Sequence, residues 1–434
     1  MQVRGGKRMA YQRPKGTADI MPEESYKWQY IEETAKDILE RYRFSEIRTP
    51  LFEAFELFER GVGESSDIVS KEMYDFYDKG ERHITLRPEG TASAVRAFVE
   101  NKYYGPDHQK PQKYYYVGPM FRYENPQGGR MRQFHQLGVE SFGSQNPQSD
   151  VEIMILAMDY FKALGIKDIS LVINSLGDTE SRSKYRDALV EYLTPYADQL
   201  SEDSKVRLEK NPLRILDSKS RTDQEIIKEA PSILDFLTEE SKAHFNEIIA
   251  LLEAEEINYK VDHTMVRGLD YYTDTVFEIM LNDEIFGSAT TLCAGGRYDN
   301  LVEEVGGDPT PACGFAIGLE RVLLTLEGMD IEIPDSPSVD VYVVGIGDNT
   351  EGPTFEVVQS LRKQGLIADK DYLNRKPKAQ FKTADRFNAT YVMIIGQNEL
   401  DQESVSVRNM ADGNQELIAV KDIKEGKFKE QYFG

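Results

Sequence analysis

The stretch YYYVGPMFRYENPQGGRMRQFHQLGVESF, residues 114–142, decides how the rest of the sequence is interpreted. Two largely apolar runs flank a polar loop at 125–132, whose proline and two glycines predict a turn between two strands. Because side chains alternate between the faces of a strand, Gln136, Gly138 and Glu140 share one face. A glycine between two hydrogen-bonding side chains leaves room for a ligand to approach the backbone, so we expect a binding site there.

The same stretch supplies arginines in positions that suit anions. Arg122 and Glu124 point to the same side of the first strand, and Arg130 and Arg132 lie at the tip of the loop. Guanidinium groups bind phosphate oxygens in pairs, which favours a phosphate site. The simpler alternative is an antiparallel hairpin with one solvated, charged face, and the remaining segments must decide between the two.

Length and charge limit the possible classes of protein. The chain has 434 residues, enough for about three domains. Its net charge of −23 argues against non-specific binding of nucleic acid, so any RNA contact requires a local basic patch. Cys293 and Cys313 fit neither a disulfide framework nor a metal site, and we expect packed thiols. Without an apolar signal core or membrane span, we expect a soluble, cytoplasmic protein.

The first part of the chain predicts a helix and an edge strand. Residues 1–10 are basic and poor in apolar side chains, which is typical of a flexible tail, and Met9 is an alternative start. Helical spacing of apolar residues predicts an amphipathic helix over Glu24–Tyr42. The extended segment FSEIRTPLFE follows, and its Pro50 indicates an edge strand.

Residues 84–91, ITLRPEGT, predict a strand, a turn and a helix that continues to Glu100. Thr91 can cap this helix while Glu89 complements nearby donors. Alternatively, the two side chains present acceptors to the ammonium group of a ligand.

Two later segments combine arginine with glycine. Residues 266–273, VRGLDYYT, are typical of a site for an anion and an aromatic ring, although a buried network of tyrosine hydroxyls is an alternative. Residues 313–321, CGFAIGLER, place small residues on one face of a strand. A planar base can lie on that face with Arg321 stacked above it. Close packing of a strand on a helix is the competing interpretation.

The rest of the chain divides by composition. A helix is predicted over Val151–Leu164, capped by Ser149 or Asp150, and residues 177–253 are charged and helical, which predicts an inserted helical module. The prolines in 331–338 indicate a linker. Residues 339–434 alternate strands and helices, as expected of a small α/β domain with a mostly parallel sheet. Its basic patch, either a solvated helix face or a contact to a phosphate backbone, comprises Arg375, Lys376, Lys378, Lys382 and Arg386.

Several of these segments resemble one known family. FRYE, the Gly/Arg loop and RQFHQLGVE resemble the second signature motif of class II aminoacyl-tRNA synthetases, and HQLGVE resembles the histidyl member. The helix, strand and proline near Pro50 resemble the first motif, and 313–321 resembles the third. RPEGT and RGLDYY are similar to segments of histidyl-tRNA synthetases. The matches run from about Pro14 to Gly396, so the chain resembles bacterial-type histidyl-tRNA synthetases.

The resemblance implies an α+β fold. We expect an antiparallel-sheet catalytic domain over 11–176 and 254–330, interrupted by the helical insertion at 177–253. An anticodon-binding α/β domain is expected at 339–434, after the linker. The first motif implies a homodimer.

The resemblance also implies ATP-dependent ligation of L-histidine to histidine tRNA through a histidyl-adenylate. Mg²⁺ would bridge the β- and γ-phosphates, and no metal ligand in the protein is assigned. The implied catalytic residues are Arg122 and Arg267. ATP would contact Arg122, Glu124, Arg130 and Arg321. Histidine would contact Glu89, Thr91, Gln136, Glu140, Tyr271 and Tyr272, and tRNA would contact the basic patch.

A protein of another class remains as the alternative. The first enzyme of histidine biosynthesis has a synthetase-like regulatory subunit that binds without catalysing. Such a subunit usually lacks the anticodon domain and the motif arginines. Arg122, Arg267, Arg321 and residues 339–434 argue against this alternative.

Overall fold

The computed structural model describes residues 11–63, 68–126, 130–282, 290–334 and 338–434. The predicted tail, the two glycines of the hairpin loop and part of the predicted linker lie outside the described residues. The chain divides into two compact units, Met1–Ile333 and Pro334–Gly434. In the described part, no helix is long and apolar enough to cross a membrane.

A large, mostly antiparallel sheet organises the first unit. Its described strands are β1 (Ser45–Glu46), β5 (Gln112–Phe121), β6 (Gln133–Phe142), β7 (Ile169–Ser175), β8 (Tyr259–Val261), β9 (Thr273–Leu281), β10 (Thr290–Arg297) and β11 (Ala312–Gly318). Their order is β1-β5-β6-β11-β10-β9-β7-β8. Only the outer pairs β1/β5 and β7/β8 are parallel among these strands. The expected α+β class with an antiparallel catalytic sheet is confirmed.

The first unit also contains a smaller antiparallel sheet, whose strand order is β2-β4-β3. Its strands are β2 (Phe52–Ala54), β3 (Tyr74–Tyr77) and β4 (His83–Leu86). The predicted strand at 84–86 is therefore confirmed, and the segment after Pro50 pairs with it as an edge strand.

Helices cover both faces of the large sheet. They are α1 (Pro22–Arg41), α2 (Phe55–Val62), α3 (Thr91–Glu100), α4 (Pro147–Ala163), α5 (Thr179–Leu193), α6 (Glu202–Lys210), α7 (Arg221–Ile227), α8 (Glu239–Ala254), α9 (Leu301–Glu304) and α10 (Leu319–Gly328). The short turns of 3-10 helix are Thr194–Gln199, Pro212–Ile215 and Ile233–Phe236, and Ile68–Glu72 is a π-helical turn. The prediction of α4 was right, but Asn146 caps it by accepting from the Gln148 N–H; Asp150 is buried instead.

Strand β6 separates two hydrophobic cores. Leu137 and Val139 point into the core formed with α1, α4, α8 and α10. Phe142, on the opposite face, joins a second core that includes residues of α2, α3 and α5. The predicted alternation is therefore confirmed, and it places Gln136, Gly138 and Glu140 on the Phe142 side of the strand.

The charged helical segment at 177–253 packs against both cores. Phe245, Ile248 and Leu252 of α8 lie in the first core, against the large sheet. Tyr185 and Leu189 of α5 lie in the second core together with tyrosines from the loop before β9. The segment is therefore continuous with the first unit.

A buried ion pair fixes the end of β10. The guanidinium of Arg297 and the carboxylate of Asp150 pair at full burial, and Arg297 also donates to the carbonyl of Ser144 at 2.9 Å. Burial alone would raise the pKa of Asp150, but the charges of Arg297 and His244 hold it below its usual value. The pair fixes the backbone that leads into Tyr298.

The second unit contains a mixed sheet with the order β13-β12-β14-β15-β16. Its strands are β12 (Val341–Gly345), β13 (Ala368–Lys370), β14 (Tyr391–Ile395), β15 (Ser404–Asn409) and β16 (Gln415–Ala419). Its helices are α11 (Glu351–Lys363), α12 (Pro377–Arg386), α13 (Gln397–Asp401), α14 (Val420–Lys424) and α15 (Lys427–Phe433). The prediction of a mostly parallel sheet is right for β13, β12 and β14. It is wrong for β15 and β16, which pair antiparallel. The connections after β14 are short, and short connections favour antiparallel pairing.

Candidate active site

A cavity of about 440 Å³ lies on the face of the large sheet that carries Gln136. Its described lining comes from the central strands of the sheet and from loops that are far apart in sequence. The predicted small-molecule residues that line it are Glu89, Thr91, Arg122, Glu124, Arg130, Gln136, Arg267, Tyr271, Tyr272 and Arg321. One cavity therefore combines several guanidinium groups with carboxylates and tyrosines.

Glu89 caps helix α3 at one end of this cavity. Its carboxylate accepts hydrogen bonds from the backbone N–H groups of Thr91, at 2.6 Å, and Ala92, at 2.9 Å. The sequence suggested Thr91 as the cap, but the longer side chain of Glu89 reaches both donors. Burial raises the pKa of Glu89, although these hydrogen bonds and the charge of Arg122 act in the opposite direction. A buried carboxylate in this setting favours a cationic partner.

Glu140 lies beneath the wall of the cavity and is fully buried. Its Oε1 accepts a hydrogen bond from the Tyr116 hydroxyl at 3.0 Å, and its Oε2 accepts one from the Tyr298 hydroxyl. Burial raises the pKa of Glu140 to about 8, even though the bond from Tyr298 acts to lower it. On the strand face where a binding site was expected, Gln136 lines the cavity, whereas Glu140 does not and lies behind Tyr298.

Glycines make room for this buried arrangement. A Cβ atom at Gly138 or at Gly90 would overlap the ring of Tyr116, and one at Gly314 would overlap the carboxylate of Glu140. From the sequence we expected that Gly138 leaves room for a ligand. The structure instead fills that space with Tyr116, so the glycine is required by internal packing.

Arg267 lies between a carboxylate and an aromatic ring. Its guanidinium pairs with the carboxylate of Glu278 and lies 5.7 Å from the centre of the Tyr272 ring. The hydroxyl of Thr291 donates to the other oxygen of Glu278 at 2.7 Å. The Nε of Arg267 is buried and has no hydrogen-bond partner among the described residues. An anion in the cavity would therefore find an unsatisfied donor on Arg267.

Other arginines converge on the same space. Arg122 donates from Nε to the carbonyl of Pro88 at 2.8 Å, and Arg321 donates from Nη1 to the carbonyl of Thr291 at 2.8 Å. Burial, together with the nearby charge of Arg130, lowers the pKa of Arg321. Such a concentration of positive charge favours a polyanion.

Arg132 does not join this group. Its guanidinium lies 3.8 Å from the centre of the Tyr123 ring and does not line the described part of the cavity. The prediction that both loop arginines face phosphate is therefore supported for Arg130 alone. Stacking on a neighbouring ring gives Arg132 a structural partner.

The sequence did not indicate several residues of the site, among them Tyr116, Arg214, Glu278 and Tyr298. Tyr298 directly follows the glycine-rich end of β10, which was its only local signal. Tyr116 and Glu278 occupy ordinary strand positions, and their roles depend on partners from other strands.

The described residues contain no group of three or more His, Cys, Asp or Glu side chains that could hold a metal. The nearest fit in the cavity is Glu124, whose buried Oε2 has no hydrogen-bond partner in the described chain and lies 3.4 Å from Nη1 of Arg130. A metal there would need most of its ligands from a bound molecule.

The predicted basic patch lies on and before helix α12 in the second unit. Arg375 pairs with the buried carboxylate of Asp371, and all five basic side chains are exposed. Tyr372 and Leu373, which precede them, are 56% and 74% exposed. The patch therefore places aromatic and apolar surface beside positive charge.

Two family models match the chain. One is described as Histidyl-tRNA synthetase and covers residues 16–322, and the other is described as Anticodon binding domain and covers residues 340–430. The chain is 56% identical over 417 residues to the histidine–tRNA ligase of Ligilactobacillus salivarius, covering 96% of this chain and 97% of that protein. It is 57% identical over 416 residues to that of Levilactobacillus brevis, covering 96% of each.

A solved structure is also similar. The crystal structure of apo S. aureus histidyl-tRNA synthetase superposes with a TM-score of 0.82 at 42% sequence identity. The match covers 96% of this chain and 99% of that one. The similarity therefore extends over both units.

The raised pKa of Glu140 predicts a pH-dependent stability. The carboxyl group of Glu140 retains its proton up to about pH 8 in the folded protein, whereas the ordinary pKa of a glutamate side chain is 4.5. Between these values the folded state binds more protons, so its stability falls as pH rises. Relative to Glu140→Gln, the wild-type free energy of unfolding should fall by about 1 kcal/mol per pH unit between pH 5 and 7. Denaturant unfolding at several pH values measures this.

Glu240→Gln, at an exposed position of α8, is the control for losing a carboxyl group that is not buried. Its unfolding free energy should follow that of the wild type at every pH. Parallel curves for the wild type and Glu140→Gln would show that Glu140 is ionised throughout.

Proposed function

The chain belongs to the histidyl-tRNA synthetase family, and from this premise we propose how its residues ligate L-histidine to histidine tRNA. In the first step, the histidine carboxylate attacks the α-phosphate of ATP, which forms histidyl-adenylate and releases pyrophosphate. In the second step, a terminal ribose hydroxyl of the tRNA displaces AMP. The observation that carries the proposal is the meeting of five arginines and the buried carboxyl group of Glu89 in one cavity.

The arginines serve the ATP half of the site in this proposal. Arg122 and Arg267 stabilise the charge that develops on the α-phosphate, while Arg130 and Arg321 bind the remaining phosphates and the base. Arg267 keeps its pairing with Glu278 in this proposal and presents its unpaired Nε to the phosphate when ATP binds. The attack needs positioning and neutralisation of charge, and no covalent nucleophile.

Glu89, Thr91 and Gln136 hold the α-amino end of histidine. The buried carboxylate of Glu89 gains a cationic partner when the ammonium group binds. The Oε1 of Gln136 is buried and has no hydrogen-bond partner among the described residues, so it offers an acceptor to the same group. Binding of the ammonium group would therefore satisfy two groups of the protein at once.

The imidazole ring is read by Glu140, Tyr271 and Tyr272. Glu140 acts from beneath the cavity wall in this proposal, because it accepts a hydrogen bond from the Tyr298 hydroxyl and so holds that cavity-lining group in place. An amino acid without ring nitrogens would leave these polar groups unpaired, which penalises its binding strongly.

Glu124 would help to hold a magnesium ion that binds together with ATP, because its buried Oε2 has no hydrogen-bond partner among the described residues. Such an ion would supply neutralisation of the phosphate charge. In the absence of that role, Glu124 would face the adenine amino group.

Histidine tRNA contacts the basic patch of the second unit. Lys378 and Lys382 are four residues apart on α12 and share one face of the helix. Phosphate contacts of this kind position an RNA, and the exposed ring of Tyr372 beside them suits stacking on a base. Charging takes place where translation uses the product, so we place the enzyme in the cytoplasm.

A homodimer is proposed through the small sheet. Phe52 and Phe76 point to the same face of that sheet and are 57% and 46% exposed. The opposite face carries Glu53, which pairs with Arg96 of α3. The outward face therefore offers apolar surface to a second copy of the chain.

Replacing Arg267 tests the chemical step. Arg267→Ala should lower the rate of histidine-dependent ATP–pyrophosphate exchange by about 100- to 1000-fold, the scale of a lost transition-state contact. Exchange by the wild type confirms the first step, whereas binding of histidine without exchange would indicate a regulatory protein. A normal rate in folded Arg267→Ala would remove this residue from the mechanism.

Charge reversal on α12 separates the two steps. Lys378→Glu with Lys382→Glu should reduce tRNA charging by about tenfold or more and leave pyrophosphate exchange unchanged, because only phosphate contacts to RNA are lost. Lys363→Glu with Lys421→Glu makes the same charge change at exposed positions elsewhere in the unit and should charge tRNA normally. Equal charging by both double variants would exclude the patch.

The dimer surface is tested by the mass in solution. Phe52→Lys with Phe76→Lys should convert two-chain particles into single chains in light scattering, since buried unpaired charges oppose association. The control, Val206→Lys with Leu417→Lys, changes exposed apolar residues elsewhere and should stay dimeric. A dimer in both variants would place the interface on another surface.

A further inference from the structure

A residue of the helical segment reaches the active-site cavity. Arg214 lies in the 3-10 turn Pro212–Ile215, between α6 and α7, and lines the cavity beside Arg267. Its Nη1 donates a hydrogen bond to the backbone carbonyl of Arg267 at 2.8 Å. A Cβ atom at Gly268 would lie only 3.4 Å from the same nitrogen.

The loop that receives this bond has no regular secondary structure. Residues 262–272 connect β8 to β9 without helix or strand, so no ladder of backbone hydrogen bonds fixes them. Their conformation therefore depends on contacts from other segments. The bond from Arg214 is one of these contacts, and it holds the backbone of the residue that carries the catalytic guanidinium.

The helical segment supports Arg214 in turn. Arg207 of α6 donates from Nη1 to the carbonyl of Arg214 at 3.1 Å. Ile215 and Leu216 are buried in the same hydrophobic core as Tyr271 and Tyr272. The turn and the loop therefore share one packed core. A shift of the turn would also shift the Arg214 guanidinium and, through its hydrogen bond, the backbone of Arg267.

We propose that Arg214 is a positioning residue for adenylate formation, which makes the helical segment part of the active site. The proposal rests on the role of Arg267 given above. Arg214 acts through the loop: it sets the place of the Arg267 guanidinium, and a displacement of about 1 Å at a reacting group can cost up to about 100-fold in rate. Its loss should therefore lower kcat and leave the KM for ATP nearly unchanged.

The experiment compares three variants of the full chain in histidine-dependent ATP–pyrophosphate exchange. Arg214→Gln should lower kcat by about 10- to 100-fold. Arg214→Lys keeps a donor that can reach the carbonyl and should recover part of the rate. Arg221→Gln removes an arginine of the same segment whose side chain is 93% exposed, and it should match the wild type.

Amide hydrogen exchange of residues 266–272 provides a second measurement that does not depend on activity. Within this loop the N–H of Asp270 donates to the carbonyl of Val62 at 3.2 Å. Its protection should fall in Arg214→Gln and stay normal in Arg221→Gln, whether or not the proposed reaction is observed. Unchanged loop protection, or a kcat of Arg214→Gln within twofold of Arg221→Gln, would overturn the proposal. A higher KM for ATP at normal kcat would also overturn it, because Arg214 would then contact the substrate directly.

Discussion

The burial of one carboxyl group, that of Glu140, places constraints on much of the site. A carboxyl group enclosed in the protein is stable only if its oxygens are hydrogen-bonded, and Tyr116 and Tyr298 supply those bonds. Tyr116 in turn fits only because Gly90 and Gly138 lack side chains. The hydrogen-bonding requirement of a single group thus constrains residues on β5 and β6, directly after β10 and directly before α3.

Two arginines of the cavity lie close to carboxylates of the protein. Arg267 is paired with Glu278, and Arg130 lies near Glu124, so the site holds its positive charges in place before any anion arrives. Preorganised charge of this kind stabilises a transition state without the cost of rearranging the site. Such a cavity suits a reaction in which negative charge develops on phosphate groups.

The helical segment has a role that its composition conceals. Read as a charged insertion, it offers no motif, yet Arg214 reaches the backbone of Arg267, and Ile215 packs in the core with Tyr271 and Tyr272. Amphipathic helices of ordinary composition are compatible with many positions in a fold. The position of this segment follows from which buried side chains fit together.

The sequence by itself determined the class of fold and most of the cavity. Alternation along β6 separated Leu137 and Val139 from Gln136, and the motif residues at 89, 122, 267 and 321 met at one site. These outcomes depend on local periodicity and on residue types that a chemical task requires. Only the tertiary structure decided that Tyr116 fills the space at Gly138, that Glu140 is enclosed, and that Arg214 holds the Arg267 loop. Each of these contacts joins residues distant in the chain, and no local pattern of a sequence specifies such a partner.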